Sequence, residues 1–248
     1  DSILGYKAHT GAGAITSNLK QDHSPVTILA GGERVETSMR KFGAMLGDGV
    51  EVGCGSGHSL VWQAKHGAGE LWGLDISESQ LRNASRWLAE NGVEAHLVCS
   101  PMEEPCGIPE GYFDYVYSIY ALGWSTDLHC TFRRLAAYLK PGGTLIFSWN
   151  HPLYGRAGCV HVQGDRLVFD KSYFDRRDTE FTFDDGVLYL RNYSISDYVN
   201  ALADAGFAIE RLVEQTDAET LAASGDLTDK MRQAQMHPLS FVFKARKL

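Results

Sequence analysis

The chain has 248 residues, 44% of them hydrophobic and 22% charged, the balance of an ordinary globular protein long enough for one large α/β domain with an embedded cap. Twenty-three Lys and Arg against 31 Asp and Glu give a net charge of −8, which repels phosphate backbones and argues against a nucleic-acid partner. Cys54, Cys99, Cys106, Cys130 and Cys159 form no Cys-x-x-Cys pair, which argues against a zinc ribbon or a disulfide framework and suits a reducing cytoplasm. No apolar run approaches the roughly 20 residues of a membrane helix, and no signal-peptide pattern is visible, so no membrane partner is expected.

The first 45 residues suggest a helical cap. Val50-Glu51-Val52 is a short apolar entry into a glycine loop, and His58 to His66 reads as a helix with Leu60, Val61 and Ala64 on one face. Leu71 to Asp75 is a buried strand. Ser77 and Gln80 have the spacing of a capping box that opens a helix to about Glu90, where Asn91-Gly92 stops it. Ala95 to Cys99 and Asp114 to Ser118 are further strands, the second rich in aromatic and β-branched residues. Asp127 to Leu139 is a helix, Lys140-Pro-Gly-Gly143 a tight turn, and Thr144 to Trp149 the strand it feeds. This alternation predicts a doubly wound, mostly parallel sheet.

After Trp149 the rhythm breaks. Residues 150–193 suggest short strands and loops in an inserted cap. The α/β pattern returns with a helix from Ser194 to Ala205, closed by Gly206, and strands at Ala208 to Val213 and Ser240 to Ala245. The segment 217–236 is a lid or a surface helix. The organisation is therefore an N-terminal cap over 1–45, a core over 46–149, an insert over 150–193 and a completion of the core over 194–248.

The strongest chemical signal is Glu51-Val-Gly53-Cys-Gly55-Ser-Gly57. Glycines let the backbone bend sharply and let a ligand approach with no Cβ in the way. A dinucleotide fingerprint needs Gly-x-Gly-x-x-Gly to seat a pyrophosphate on a helix N-terminus. Here the third position of that pattern is His58, which disfavours NAD or FAD. The acidic Glu51 also disfavours a diphosphate and suits a ligand carrying ammonium and sulfonium charges. Asp75 ends the next strand about 20 residues on, where a carboxylate can accept from both hydroxyls of a ribose.

The stretch from Glu51 to Trp149 resembles the class I S-adenosylmethionine (SAM) dependent methyltransferase family, about two-fifths of the chain. The glycine loop is similar to the family's first motif, Gly73-Leu-Asp75-Ile-Ser to its second, Asp114-Tyr-Val-Tyr-Ser118 to its fourth strand and Leu139-Lys-Pro-Gly-Gly143 to the turn before the fifth. Phe147-Ser-Trp-Asn-His151-Pro152 and Arg191 to Ser194 resemble elements of bacterial small-molecule methyltransferases. The resemblance implies a seven-stranded Rossmann-like sheet. It implies that Glu51, Gly53, Cys54, Gly55 and Gly57 hold the methionine end of SAM, that Asp75 binds the ribose and that Ile76 packs on the adenine. Ser100, Pro101 and Met102 stand where the family usually places an acidic contact to the adenine amino group, with Glu103 as a substitute. Ser118, Ile119 and Tyr120 would lie beside the sulfonium. The product would be S-adenosylhomocysteine.

His151 follows the fifth strand at the sheet's carboxyl edge, where open α/β sheets bind ligands, and its pKa range suits a general base. It is the candidate catalytic residue; the alternative is a brace for its loop. Tyr154, Tyr173, Arg191 and Tyr193 are candidate acceptor contacts, with Arg191 meeting an anionic group, against the alternative of a β-cap with its own aromatic core. Cys159 and His161, even with His151, make a poor metal site without a fourth ligand, so no metal is expected. The expected partner is a small-molecule acceptor, the chain a monomer or homodimer. The competing readings are an RNA or protein methyltransferase, which an exposed basic groove around Arg176, Arg177 and Arg191 would favour, and a protein that binds SAM without transferring methyl.

Overall fold

The computed structural model describes residues 47–155, 159–183 and 186–248, together with two short strands, β1 (Thr27–Ala30) and β2 (Glu33–Glu36). These two pair antiparallel. A strand pair therefore stands where a helical cap is expected, and the rest of the N-terminal segment lies outside the described residues.

The core follows in strict alternation: β3 (Gly49–Val52), α1 (His58–Lys65), β4 (Leu71–Asp75), α2 (Glu78–Glu90), β5 (His96–Cys99), β6 (Phe113–Ile119), α3 (Leu128–Tyr138) and β7 (Leu139–Asn150). Helix starts carry the predicted chemistry. Ser77 accepts the Gln80 N–H at 3.3 Å, and Asp127 accepts that of Cys130 at 2.9 Å, each satisfying an orphan donor of the first turn. The Gln80 side chain does not close a capping box; it accepts the Ser56 hydroxyl at 2.6 Å instead. The Lys140–Gly143 turn is a looped-out irregularity at the start of β7, which is paired with β6 through Phe113–Leu139 and then Tyr115–Thr144.

A short helix, α4 (Pro152–Gly155), opens the insert, which holds the hairpins β8 (Val160–Gln163) with β9 (Arg166–Phe169) and β10 (Thr179–Phe183) with β11 (Gly186–Leu190). Then come α5 (Ile195–Asp204), β12 (Phe207–Val213), α6 (Ala218–Ala222), α7 (Asp229–Met236) and β13 (Ser240–Lys247). Ser194 and Asp197 cap α5 reciprocally. Helices α6 and α7 bury no residue. They are held together where Gln235 Nε2 donates to the carbonyls of Thr220 and Ala223, both at 2.8 Å.

Seven strands form one sheet in the order β12-β13-β7-β6-β3-β4-β5, parallel except for β13. The reversal between β3 and its two neighbours β4 and β6 makes their carboxyl ends the crevice of the fold. The largest core cluster joins β6, β7, β13, α3 and α5 through Phe132, Phe147, Tyr198, Phe241 and Phe243. Each fully buried ring of this kind contributes about 1.5–3 kcal/mol. That rigid slab holds the strand tips in place.

Candidate functional site

At the tip of β3 the chain turns through Gly53, Gly55 and Gly57, all with positive φ (75°, 50° and 75°), a region open to glycine and costly for other residues. The three glycines do different work. A Cβ on Gly53 would lie 2.0 Å from Ala121 Cβ, and one on Gly57 3.1 Å from Ala84 Cβ. Those two allow close packing against the loop after β6 and against α2. At Gly55 a Cβ would meet nothing within 4 Å, so this glycine opens onto free space.

Asp75, at the tip of β4, fastens the loop. Its Oδ2 accepts the Gly55 N–H at 2.8 Å and its Oδ1 accepts the Ser77 N–H at 2.9 Å. Next to it the Ile76 side chain is 70% exposed, an apolar group left uncovered at the crevice. An open glycine cradle, a fixed carboxylate and a bare aliphatic side chain form a polar-then-apolar series. They fit a ligand with a charged end, a ribose diol and a flat base, so SAM fits the donor set.

Glu51 lies beneath the loop. It is 3% exposed, and its carboxylate accepts the hydroxyls of Ser59 and, at 3.3 Å, Tyr117. Burial raises its pKa to about 8, against the pull of those two hydroxyls. At neutral pH it therefore holds a proton, and only once that proton is lost can its charge act on a bound cation. Cys54 is buried, and burial raises its thiol pKa. His58, where a dinucleotide fold wants glycine, packs edge-on against Trp87 at 4.9 Å between ring centroids.

The remaining predicted contacts divide. The Ser118 hydroxyl is buried and donates to the Val52 carbonyl at 2.7 Å, holding β6 to β3. Ser100 donates its N–H to the Asp75 carbonyl at 3.1 Å, which puts Ser100, Pro101 and Met102 at the β4 tip; Met102 packs on the main core. Glu103 is engaged elsewhere, accepting the Thr126 N–H at 2.7 Å and hydroxyl at 3.1 Å. Tyr120, just past Ile119, holds φ +53°, a strained conformation for a non-glycine residue and typical of functional loops.

His151 is buried, and both of its ring nitrogens are used. Nδ1 accepts the Leu153 N–H at 3.2 Å, so Nε2 carries the proton and donates it to Glu214 at 2.8 Å. Burial lowers its pKa, partly offset by Glu214 and reinforced by His237. The imidazole ties the end of β7 to the end of β12. Glu214 is 63 residues away, with no local sequence signal to reveal it.

In the insert, Arg191 meets Asp178 at 3.1 Å, so its charge is already answered within the protein. Arg177 is paired with Asp175 and Arg176 with Asp197. The basic groove that would favour a macromolecular acceptor is thus neutralised at each of its three members. Tyr193 is half-buried against Tyr198, 5.8 Å between centroids, and burial raises its pKa to about 12. Tyr154 donates its N–H to the His151 carbonyl at 2.8 Å. Tyr173 packs edge-on against Phe174, away from the strand tips in sequence and partnered locally. His161 pairs with Asp170 at 2.6 Å and the Cys159 thiol with the Lys171 carbonyl at 3.5 Å.

Residues 50–147 match a family model described as a methyltransferase domain. A crystal structure of an S-adenosylmethionine dependent methyltransferase from Mesorhizobium loti superposes with a TM-score of 0.68 at 26% identity, over 82% of this chain and 93% of that one. Residues 50–147 thus match a methyltransferase domain, and the chain shares its fold with SAM-dependent methyltransferases. SAM is the cofactor of such a domain, in accord with the cradle at Gly55 and Asp75. A ubiquinone biosynthesis O-methyltransferase from Bordetella avium is 33% identical over 116 residues, 46% of this chain and 48% of that protein. A malonyl-[acyl-carrier protein] O-methyltransferase from Methylovorus sp. is 28% identical over 169 residues, 58% and 57% of the two. The chain thus spans about half the length of the curated relatives it matches. No helix among the described residues is long and apolar enough to cross a membrane.

Proposed function

We propose that the protein transfers a methyl group from SAM to an oxygen, nitrogen or carbon nucleophile of a small molecule. The observation that carries this reading is the Asp75 latch. One carboxylate fixes the glycine loop at 2.8 Å beside the open cradle of Gly55. In the proposal Gly53, Cys54, Gly55 and Gly57 supply backbone around the methionine end, with Glu51 opposing its positive charge from below. Asp75 holds the ribose. Ile76 covers one face of the adenine, with Ser100, Pro101 and Met102 along its rim. Ser118, Ile119 and Tyr120 border the reacting end. When bound, SAM supplies an electrophilic methyl on a good leaving group, and the chain's contribution is alignment of the nucleophile in a shielded crevice.

A small acceptor is supported by the paired state of Arg176, Arg177 and Arg191 and by the net charge of −8. Both weaken attraction to RNA. Tyr193 and Arg191 flank the insert's return to the core, while Tyr154 and Tyr173 lie at its entry and middle. Of the four, Tyr193 packs against the main core. We assign His151 to positioning: with Glu214 it fixes the loop that follows β7, and neither ring nitrogen is free to take a proton. Incubating the chain with methyl-labelled SAM and a metabolite extract tests the proposal. Label in the small-molecule fraction is expected; label confined to RNA or protein, or none at all, contradicts it.

A further inference from the structure

The loop after β6 leads directly from the cofactor cradle into a cluster of aromatic rings. Ala121 abuts Gly53 so closely that a Cβ there would come within 2.0 Å. Three residues later, and joined to Ala121 by an N–H to carbonyl bond of 2.9 Å, stands Trp124. It ends a 3-10 turn over Leu122–Trp124. Gly123 makes the turn possible, because a Cβ at this position would lie 1.8 Å from the Trp149 ring. Trp149 is the buried floor at the end of β7. Tyr120 approaches it at 6.2 Å between centroids, Trp124 at 5.8 Å. From the insert, Phe181 reaches Trp124 at 6.3 Å.

The ring geometry is informative. Trp149 and Phe181 meet Trp124 at interplanar angles of 75° and 70°. Neither ring lies parallel to it, and Trp124 remains 41% exposed. An indole held on two sides with part of its surface open is a stacking platform, and flat rings bind such a surface in offset-stacked geometry. The surrounding charge selects further. Arg176, Arg177 and Arg191 each have an aspartate partner, and Lys171 has an interaction of its own. The Glu103 carboxylate sits on the Thr126 backbone two residues past Trp124. An anionic acceptor that drew on these arginines would compete with their aspartates, and near Trp124 it would meet the field of Glu103.

We propose that the Trp124–Trp149 cluster binds an uncharged, flat aromatic acceptor whose ring stacks on Trp124. This deepens the small-molecule reading above and rests on it for the transfer, though the ring contact stands on its own geometry.

The test is calorimetric titration of the full chain, saturated with S-adenosylhomocysteine, with 2-naphthol and with 6-hydroxy-2-naphthoate. The proposal expects 2-naphthol to bind and the carboxylated ring to bind at least about tenfold more weakly. Trp124→Leu keeps apolar bulk without a π face and should weaken 2-naphthol about tenfold; Trp124→Phe should recover most of the loss. Affinity for S-adenosylhomocysteine should stay within about twofold in both variants, which also shows that they fold. Absence of 2-naphthol binding, equal binding by Trp124→Leu, or a preference for the carboxylate overturns the proposal. A parallel assay of methyl transfer from SAM separates the two readings. Ring binding lost in Trp124→Leu, with no transfer to any acceptor, removes the transferase reading and leaves the ring site standing. Transfer to a non-aromatic small molecule of a metabolite extract, with no ring binding, does the reverse.

Discussion

On the proposed cofactor side of the sheet edge, Asp75 reaches across 20 residues of sequence to a backbone N–H of the glycine loop. The glycine loop and its carboxylate latch come from β3, β4 and the turns that leave them. On the proposed acceptor side, Tyr120, Trp124, Trp149 and Phe181 come from the loop after β6, a 3-10 turn, β7 and the inserted hairpin. One half is made of backbone and a carboxylate, the other of side-chain rings. A backbone cradle recognises one ligand and tolerates little change, because its shape is set by φ angles and strand ends. A cradle of rings can be retuned by exchanging single side chains while the fold stays the same.

Substitutions that break each half should therefore fail differently. The largest effect is expected from Gly53→Ala, which must adopt φ +75° and meet Ala121 at 2.0 Å. Overpacking and the left-handed conformation together should cost about 2–4 kcal/mol of stability, read as a lowered melting temperature. Gly55→Ala keeps the left-handed backbone cost of about 1–2 kcal/mol without a clash, so it should lose less stability than Gly53→Ala while also losing cofactor affinity. Asp75→Ala should weaken SAM binding by about 1.5–3 kcal/mol, because hydrogen bonds to a charged group are lost; calorimetry reads this directly, and an unchanged affinity would assign the ribose to another carboxylate. His151→Ala leaves the Leu153 N–H and Glu214 without their partner. It should cost about 1–3 kcal/mol of stability, and its SAM affinity should remain near that of the parent.

The smallest effect concerns Glu51. Its pKa is raised to about 8, so the folded apo state holds a proton that the unfolded state releases near its ordinary value of 4.5. The stabilisation that this proton gives is complete below the unfolded value and is lost as pH rises through about 8. A bound cation favours the ionised carboxylate and must expel the proton below that pH. SAM affinity should therefore rise with pH by at most about tenfold per unit and level off above about 8. In Glu51→Gln the slope should vanish, which calorimetry across the pH range reads.

The cofactor half was legible because its chemistry is local. Glycines at alternate positions after an acidic strand end, and an aspartate at the next strand end, are visible as spacing, and β3 to β7 fall where the periodicity puts them. What local pattern missed depends on contacts distant in sequence. Nothing near Glu51 announces that Ser59 and Tyr117 will cover it, and nothing near His151 announces Glu214. Trp124 follows an unremarked Gly123 whose need is set by Trp149, 26 residues further on. The expected helices of the first 45 residues give way, where described, to the strand pair β1–β2, in a segment without clear periodicity. Arg191 stands in the sequence as a lone cation, because its aspartate lies across a hairpin, 13 residues back.

The central claim is that the Asp75 cradle binds SAM and delivers its methyl to a small molecule. The most direct measurement uses methyl-labelled SAM with the parent chain and with Asp75→Ala, in the same metabolite extract, followed by separation of metabolites, RNA and protein. The account predicts label in the metabolite fraction with the parent chain and its loss in the variant at limiting SAM. Label in RNA or protein, or equal labelling by both chains, would contradict it.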